Sequence, residues 1–170
     1  LFPKKEIVTY DYIAESKDLS FERIETLKKI KQNKVNVVVT TEEAIMQKMI
    51  SPNDLYKNIL SFKVGQNVNI EKIKEDLVLL GYERKDLIET RADFSVRGDI
   101  IDIGLTDTRG IRIELWGDEI DSIREFLISS QRSNQMLDEV KIYPAHEYLI
   151  GDNDLNCVCD KILASKEEIK

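Results

Sequence analysis

Alternation of apolar and polar residues over positions 94–126 constrains this chain more than any other feature of its sequence. The clearest stretch reads Ile111, Arg112, Ile113, Glu114, Leu115 and Trp116. Successive side chains of a β-strand point to opposite faces of a sheet, so this pattern predicts one apolar face and one solvated face of mixed charge. The segment predicts three adjacent strands joined by tight turns at 107–110 and 116–119. A half-solvated sheet with ordered Arg and Glu is typical of a protein-binding surface.

The first strand of this ribbon contains an irregularity. Its two parities are Phe94, Val96 and Ile100 against Ser95, Arg97 and Asp99. The alternation then slips between Gly98 and Ile101, where two isoleucines are adjacent. An extra residue in one strand has this effect, so the sequence predicts a β-bulge or a strong local twist here.

Trp116 lies on the polar side of the ribbon, just before a turn. Tryptophan is enriched in protein interfaces, and it also packs over the edges of sheets. Both interpretations stay open, with packing the favoured one.

Composition excludes several classes of function. The 170 residues suffice for one domain or two small ones, and the net charge of −7 argues against a dedicated nucleic-acid-binding protein. The sequence contains neither an apolar run long enough to cross a membrane nor a signal-peptide pattern. We therefore expect a cytoplasmic protein without a membrane partner. The first residue, Leu1, and the helical pattern at the other end indicate a fragment of a larger protein.

Metal and catalytic sites find little support in the sequence. Cys157, Cys159 and the single histidine, His146, cannot complete a four-ligand zinc site, so we expect no metal and reduced thiols. A role as a strand-end surface or packing residue is favoured for His146 over that of a catalytic base. None of the seven glycines precedes a lysine, which excludes a phosphate-binding loop in this stretch. The sequence thus predicts no catalytic residue and no cofactor in this fragment.

Residues 1–52 have the pattern of an α/β unit. Ser20 is placed to cap a helix, with an apolar stripe of Phe21, Ile24, Leu27 and Ile30. The run 35–39, VNVVV, is typical of a strand buried on both faces. A capping-box spacing of Thr40 and Glu43 then predicts a second helix that ends at 51–52, with inward residues Ile45, Met46, Met49 and Ile50.

Further along the chain the pattern is α+β. A short strand is predicted at 62–65, and a helix capped by Asn69 and ended by Gly81 follows it. Strands are also predicted at 87–89 and 140–143, and a helix begins after 152. The fold class is therefore α/β and α+β, with an antiparallel sheet and a helix in the second part.

Several segments carry a resemblance to a known family. They read GYERKD at 81–86, FSVRGDIIDI at 94–103, and RIELWGDEI at 112–120 with IR at 123–124. These segments resemble the UvrA-interaction domain of the nucleotide-excision repair protein UvrB. EAIMQK at 43–48, SQRS at 130–133 and IYPAHE at 142–147 favour the UvrB-like N-terminal region of bacterial transcription-repair coupling factors (the Mfd family).

The resemblance implies a division of the chain and a function. Residues 1–52 would form part of a degenerate, P-loop-like motor domain without a Walker A loop, and 53–130 an inserted UvrA-interaction domain. Residues 131–170 would hold the returning strand and the start of a helical segment. Such a fragment recruits UvrA to lesion-stalled RNA polymerase in transcription-coupled repair. The full-length proteins are ATP- and Mg-dependent DNA translocases, whose polymerase, DNA and ATP contacts would lie outside this fragment.

The family's contact positions fall on Arg84, Arg97, Arg112 and Glu114. Alternation independently places the last three on the polar face, whereas Arg84 depends on the resemblance alone. UvrB often has an arginine where this chain has Ser95, which predicts a different set of contacts there. The alternative is a UvrB fragment with a DNA-binding role, which would bind damaged duplex tightly. A binding face masked by a distal domain is a third possibility.

Overall fold

The computed structural model describes residues 1–5 and 17–147. Its helices are α1 (Lys17–Lys31), α2 (Glu42–Met46), α3 (Pro52–Lys57) and α4 (Ile70–Leu79). Its strands are β1 (Leu60–Lys63), β2 (Glu83–Arg84), β3 (Asp93–Arg97), β4 (Ile100–Gly104), β5 (Arg109–Trp116), β6 (Glu119–Leu127), β7 (Arg132–Leu137) and β8 (Glu139–Ile142). The helix predicted after 152 lies outside the described residues.

A six-stranded sheet organises the structure, in the order β2-β3-β4-β5-β6-β7. All its neighbours are antiparallel except β2 and β3, which are parallel. One face is apolar and fully buried, with Phe94, Ile101, Ile111, Ile113 and Ile123 at its centre. This face packs against α4 and against the two-stranded sheet formed by β1 and β8. The mixed α/β architecture and the apolar face predicted from alternation are confirmed.

Helix α4 forms where the sequence predicts it. Asn69 caps it by accepting a hydrogen bond from the backbone N–H of Lys72. Gly81 follows with a φ of +89°, which glycine adopts without strain. A Cβ atom at Gly81 would lie 2.2 Å from the ring of His146, which therefore rests directly on this glycine. The packing role predicted for His146 is confirmed.

The ribbon contains one more strand than the alternation predicts. A two-residue turn at Gly98 and Asp99 reverses the chain between β3 and β4, and Gly98 adopts a φ of +60° there. Arg97 consequently pairs with Ile100, so Ile100 shares the face of Arg97 and not that of Phe94. The predicted bulge at this position is wrong, because a turn explains the slip. Register shifts occur instead at Glu114/Leu115 and Glu125/Phe126.

The strand predicted at 87–89 is also wrong. The structure places β2 earlier, at 83–84, and the following segment is an irregular loop. In this loop Ile88 is buried with Phe126 and Ile128. Burial of Ile88 explains the apolar residues at 87–89, because a single side chain can be buried under a loop without strand pairing.

Ser20 is a buried residue inside α1 (Lys17–Lys31) and not its cap. Of the predicted apolar stripe, Ile24 is buried whereas Ile30 is largely exposed. The stripe therefore contacts its neighbours mainly through its N-terminal half.

The run 35–39 does not form the predicted buried strand. Val37 and Val39 are exposed, and among the described residues the pairing near them is a single parallel bridge between Phe2 and Thr40. A strand buried on both faces needs strands on either side and helices above and below, and the described residues supply one bridging residue. High β-propensity alone is not sufficient for burial.

Two short helices replace the longer one predicted after Thr40. Thr41, not Thr40, caps α2, and Ile45, Met46 and Met49 are exposed whereas Ile50 is buried. Ser51 then caps α3, which begins with a proline at its first position and which the sequence reading missed. Leu55 of α3 packs with Ile24 and Ile50 in a small separate core.

The last described segment returns to the first helices. Strand β8 pairs with β1, which confirms the strand predicted at 140–143 to within one residue. Beyond it, Glu147 accepts a hydrogen bond from Nε of Arg23 on α1, at 2.8 Å, and contacts the ammonium group of Lys5. Gln47 bonds both the N–H and the C=O of Lys5. We call Lys5, Arg23, Gln47 and Glu147 the buried cluster.

Candidate functional site

The sheet face opposite α4 carries an ordered set of charges. We call it the charged face, and it consists of Ser95, Arg97, Asp102, Arg112, Glu114, Ser122 and Arg124. Cross-strand register brings these side chains together, since Ser95 pairs with Asp102, Asp102 with Arg112, and Arg112 with Arg124. Residues directly opposite in an antiparallel pair have neighbouring side chains, so the row forms one electrostatic unit.

Asp102 is the centre of this unit. It is 1% exposed, and both its oxygens accept hydrogen bonds. Arg112 donates from Nε to Oδ1 at 2.7 Å and from Nη2 to Oδ2 at 2.8 Å. Arg97 donates from Nη2 to Oδ2 at 2.8 Å. One buried carboxylate therefore holds two guanidinium groups, the first of them through a bidentate contact.

Arg112 is held in place from two sides. Its guanidinium carbon lies 4.9 Å from the centre of the Phe126 ring, a distance suited to a cation–π contact. The hydrogen bonds that Arg112 donates to Asp102 raise the pKa of Arg112, while burial acts in the opposite direction. Gly110 makes this stacking possible, because a Cβ atom there would lie 2.7 Å from the Phe126 ring. The aromatic ring and the loop with Ile88 cover this end of the charged face, which is therefore not exposed to solvent there.

Glu114 belongs to a second pair on the same face. It accepts hydrogen bonds from Nη2 of Arg124 at 2.7 Å and from Oγ of Ser122 at 2.9 Å. Together, three guanidinium groups share two carboxylates in this set. The charged face thus has a surplus of one positive charge, and Arg97, with 49% of its side chain exposed, is its most accessible cation.

Ser95 occupies the position where the resemblance indicated a departure from UvrB. It is buried opposite Asp102, and its hydroxyl has no hydrogen-bond partner among the described residues. The short side chain leaves both oxygens of Asp102 to Arg97 on the same strand, β3, and to Arg112 on β5.

Exposed apolar side chains flank the charges. Trp116 is 82% exposed, which makes the favoured packing interpretation wrong. It lies two residues beyond Glu114 on β5, and therefore on the same face. Met136 pairs with Arg124 across β6 and β7 and is also largely exposed. Aromatic, Met and Arg side chains are the types enriched at protein interfaces.

The predicted site residues do not all lie together. Arg97, Arg112 and Glu114 share the charged face, as alternation predicts. Arg84 lies on edge strand β2 beside Phe94, and lines a groove with Val78 and Leu79 of α4 on the opposite side of the sheet. Its role in binding stays a prediction.

Sequence reasoning missed Asp102, Ser122 and Arg124. The turn at 98–99, where the alternation predicts a bulge, decides which face of the sheet Asp102 joins.

No cluster of three or more His, Cys, Asp or Glu side chains within 1–5 and 17–147 could hold a metal ion. None of the helices in these ranges is both long and apolar enough for a membrane span. Cys157 and Cys159 lie outside the described residues.

Comparison with known proteins places this sheet in a family. The UvrB interaction domain matches residues 60–148, which include α4 and every strand of both sheets. The chain is 33% identical over 153 residues to the transcription-repair-coupling factor of Staphylococcus haemolyticus, covering 89% of this chain and 13% of the relative. It is 31% identical over 170 residues to that of Staphylococcus aureus strain MRSA252, covering 99% of this chain and 14% of the relative.

These matches identify the family and show how much of the relatives' length this chain covers. The chain spans only about one-seventh of the length of the relatives that it matches. Within that part the similarity covers the charged face completely. The chain belongs to the UvrB interaction domain family and is similar to the corresponding region of transcription-repair-coupling factors.

Proposed function

We propose that this chain is the UvrA-docking module of a transcription-repair coupling factor, and that the charged face binds UvrA. The observation that carries the proposal is the arrangement of Arg97 and Trp116, both accessible, around a core of paired charges. The UvrB interaction domain match supports UvrA as the kind of partner.

The charges favour a protein partner over DNA. Affinity for DNA comes mainly from cations that neutralise phosphates, and six to ten such contacts are common. On the charged face, the three arginines are already hydrogen-bonded to carboxylates, which leaves a surplus of one charge. The net charge of the chain is −7. This balance does not favour the alternative of a DNA-binding UvrB fragment.

The mixture of side chains fits a compact interface centre. Binding hot spots are enriched in Trp, Tyr and Arg, and they are desolvated in the complex. Trp116 supplies apolar area at one end of the face, and Arg97 supplies directional donors near its middle. Charge complementarity would then set the register and the association rate, whereas the aromatic contact would slow dissociation.

Further activities would belong to the longer protein of which this chain would be a part. The relatives extend far beyond this chain, and we infer that motor activity with ATP and Mg, and contacts with RNA polymerase and DNA, belong to those parts. Residues 1–52 would be part of a degenerate motor-like domain, a view supported by the similarity to a transcription-repair-coupling factor over 99% of the chain. The division at 52/53 and 130/131, a cytoplasmic location, and masking of the charged face by a distal domain stay predictions.

A titration of the 170-residue chain with purified UvrA tests the proposal. We expect Arg97→Ala to weaken binding at least tenfold, since it removes the most accessible cation of the charged face. Arg109→Ala is the matched control, because Arg109 is similarly exposed and ion-paired on β5 but has the opposite parity to Arg112. Equal affinities of both variants and the wild type would assign UvrA binding to another surface. Tight, salt-sensitive binding of damaged duplex would instead support the DNA-binding alternative.

A further inference from the structure

We propose that Asp102 is the positioning residue of the charged face, and that the UvrA group bound there is a carboxylate seated on Arg97, not on Arg112. Asp102 itself cannot reach a partner, because it is buried beneath the two arginines that it binds. Its role is to fix the orientation of Arg97 before UvrA arrives. The inference rests on the proposed function and adds the partner's chemistry to it.

Arg112 has little left to offer a partner. Its Nε and one Nη2 hydrogen point at Asp102, which is the edge that a bidentate carboxylate contact uses. One face of its guanidinium lies over Phe126, and only 17% of the side chain is exposed. Arg112 therefore acts as an internal counter-charge that holds Asp102 in place.

Arg97, in contrast to Arg112, keeps hydrogen-bond donors that a partner can reach. Its hydrogen bond to Asp102 uses Nη2 alone, and its side chain is about three times as exposed as that of Arg112. The remaining donors of its planar fork match the geometry of a second carboxylate. The single hydrogen bond to Asp102 orients the guanidinium group of Arg97 and leaves its other donors available to a partner.

Charge balance supports a carboxylate as the occupant. Asp102 carries one negative charge against the positive charges of Arg97 and Arg112, so this triad has a net charge of +1. The adjacent Glu114 is already paired with Arg124 and does not neutralise it. An acidic side chain of UvrA would complete the set, and an arginine held in its bound geometry loses less conformational freedom on binding.

The central test is Asp102→Asn, which preserves shape and removes the charge. We expect UvrA affinity to fall at least tenfold, and the Arg97 and Arg112 side-chain NMR signals of the free chain to shift. Asp93→Asn is the matched control, because Asp93 is equally buried but caps the backbone N–H groups of Glu89 and Thr90. If Asp93→Asn weakened binding as much as Asp102→Asn, general loss of structure would explain both results and the inference would fail.

A double-mutant cycle separates positioning from folding. In an Arg97→Ala background, Asp102→Asn should have little further effect on UvrA affinity, because the group that it positions is gone. The same loss in both backgrounds would show that Asp102 acts only on stability, and would overturn the inference.

Two conservative variants keep the inference testable if Asp102→Asn does not fold. Arg97→Lys should weaken UvrA binding more than Arg112→Lys, since only Arg97 meets the partner's carboxylate. The reverse order would place the partner on Arg112 and contradict us. Absence of UvrA binding by the wild-type chain would remove the proposed function together with the inference, whereas unchanged binding by Asp102→Asn would remove the inference alone.

Discussion

Two clusters in this molecule share one plan, a buried carboxylate that holds two cations, but they differ in exposure. In the buried cluster, Glu147 binds Arg23 and Lys5, and none of these side chains is more than 7% exposed. On the charged face, Asp102 is equally buried, yet Arg97 reaches solvent. The two clusters differ in their second cation, because Lys5 is buried whereas Arg97 is exposed. The buried cluster is therefore structural, whereas the charged face offers a hydrogen-bond donor to a partner.

The partners of the buried cluster show what it does. Arg23 on α1 also donates to the backbone carbonyl of Pro3, at 2.7 Å, and stacks over Phe2 at 4.1 Å. Glu147 follows β8, so the cluster fastens the first helix and the N-terminal segment to the end of the interaction domain. A buried ion pair rarely adds much stability over an apolar pair, but removing one partner is costly.

Arg23→Ala should therefore produce the largest effect on stability. It leaves Glu147 buried with only Lys5, and we expect a loss of about 3–5 kcal/mol in the free energy of unfolding. Urea denaturation followed by circular dichroism measures this loss. Lys29→Ala, on an exposed position of the same helix, is the control and should change stability by less than about 0.5 kcal/mol.

The same measurement on Arg97→Ala makes the comparison direct. Arg112 still satisfies Asp102 through two hydrogen bonds, so stability should fall by no more than about 1 kcal/mol. If Arg97→Ala destabilised the chain as much as Arg23→Ala, the two clusters would have the same structural role, and the distinction drawn above would be wrong.

The interaction domain and the N-terminal region before it also differ in how far the sequence predicts their structures. Helix α4 and the hairpin of β5 and β6 depend on local signals, namely a cap at Asn69, a stop at Gly81 and the alternation along β5. In the N-terminal region, the valine run at 35–39 depends on which strands lie beside it, and its sequence contains no information on that. Predictions there fail because tertiary contacts decide the outcome.

The candidate site shows the same limit at the scale of one residue. Parity along β5 was sufficient to place Arg112 and Glu114 on one face. To place Asp102 on the same face, the two-residue turn at 98–99 must be known. That turn brings the even-numbered residues of β4 to the face of the odd-numbered residues of β3. A shift of register by one residue exchanges the two faces of a strand. The pattern of β4 alone therefore does not assign Asp102 to a face.

Trp116 provides a test in which stability and binding should separate. Because its side chain is almost fully exposed, Trp116→Ala should change the free energy of unfolding by less than about 0.5 kcal/mol. Loss of an aromatic anchor should nevertheless weaken UvrA binding tenfold or more, mainly through faster dissociation, as measured by surface plasmon resonance. Met46→Ala, an equally exposed apolar residue on α2, is the control. Equal dissociation rates for the wild type and Trp116→Ala would exclude this side chain from the interface.

Ser95 gives the smallest expected effect and the finest test of the charged face. Its buried hydroxyl has no hydrogen-bond partner among the described residues, and an unpaired buried polar group costs free energy that an apolar group of similar size does not. Ser95→Ala should therefore leave stability unchanged or raise it by up to about 1 kcal/mol, and UvrA affinity should not change. The matched control is Ser122→Ala, which removes a hydroxyl that donates to Glu114 and should lower stability by about 1 kcal/mol. A loss of stability in Ser95→Ala equal to that in Ser122→Ala would show that the Ser95 hydroxyl is bonded in solution, and that it takes part in holding Asp102.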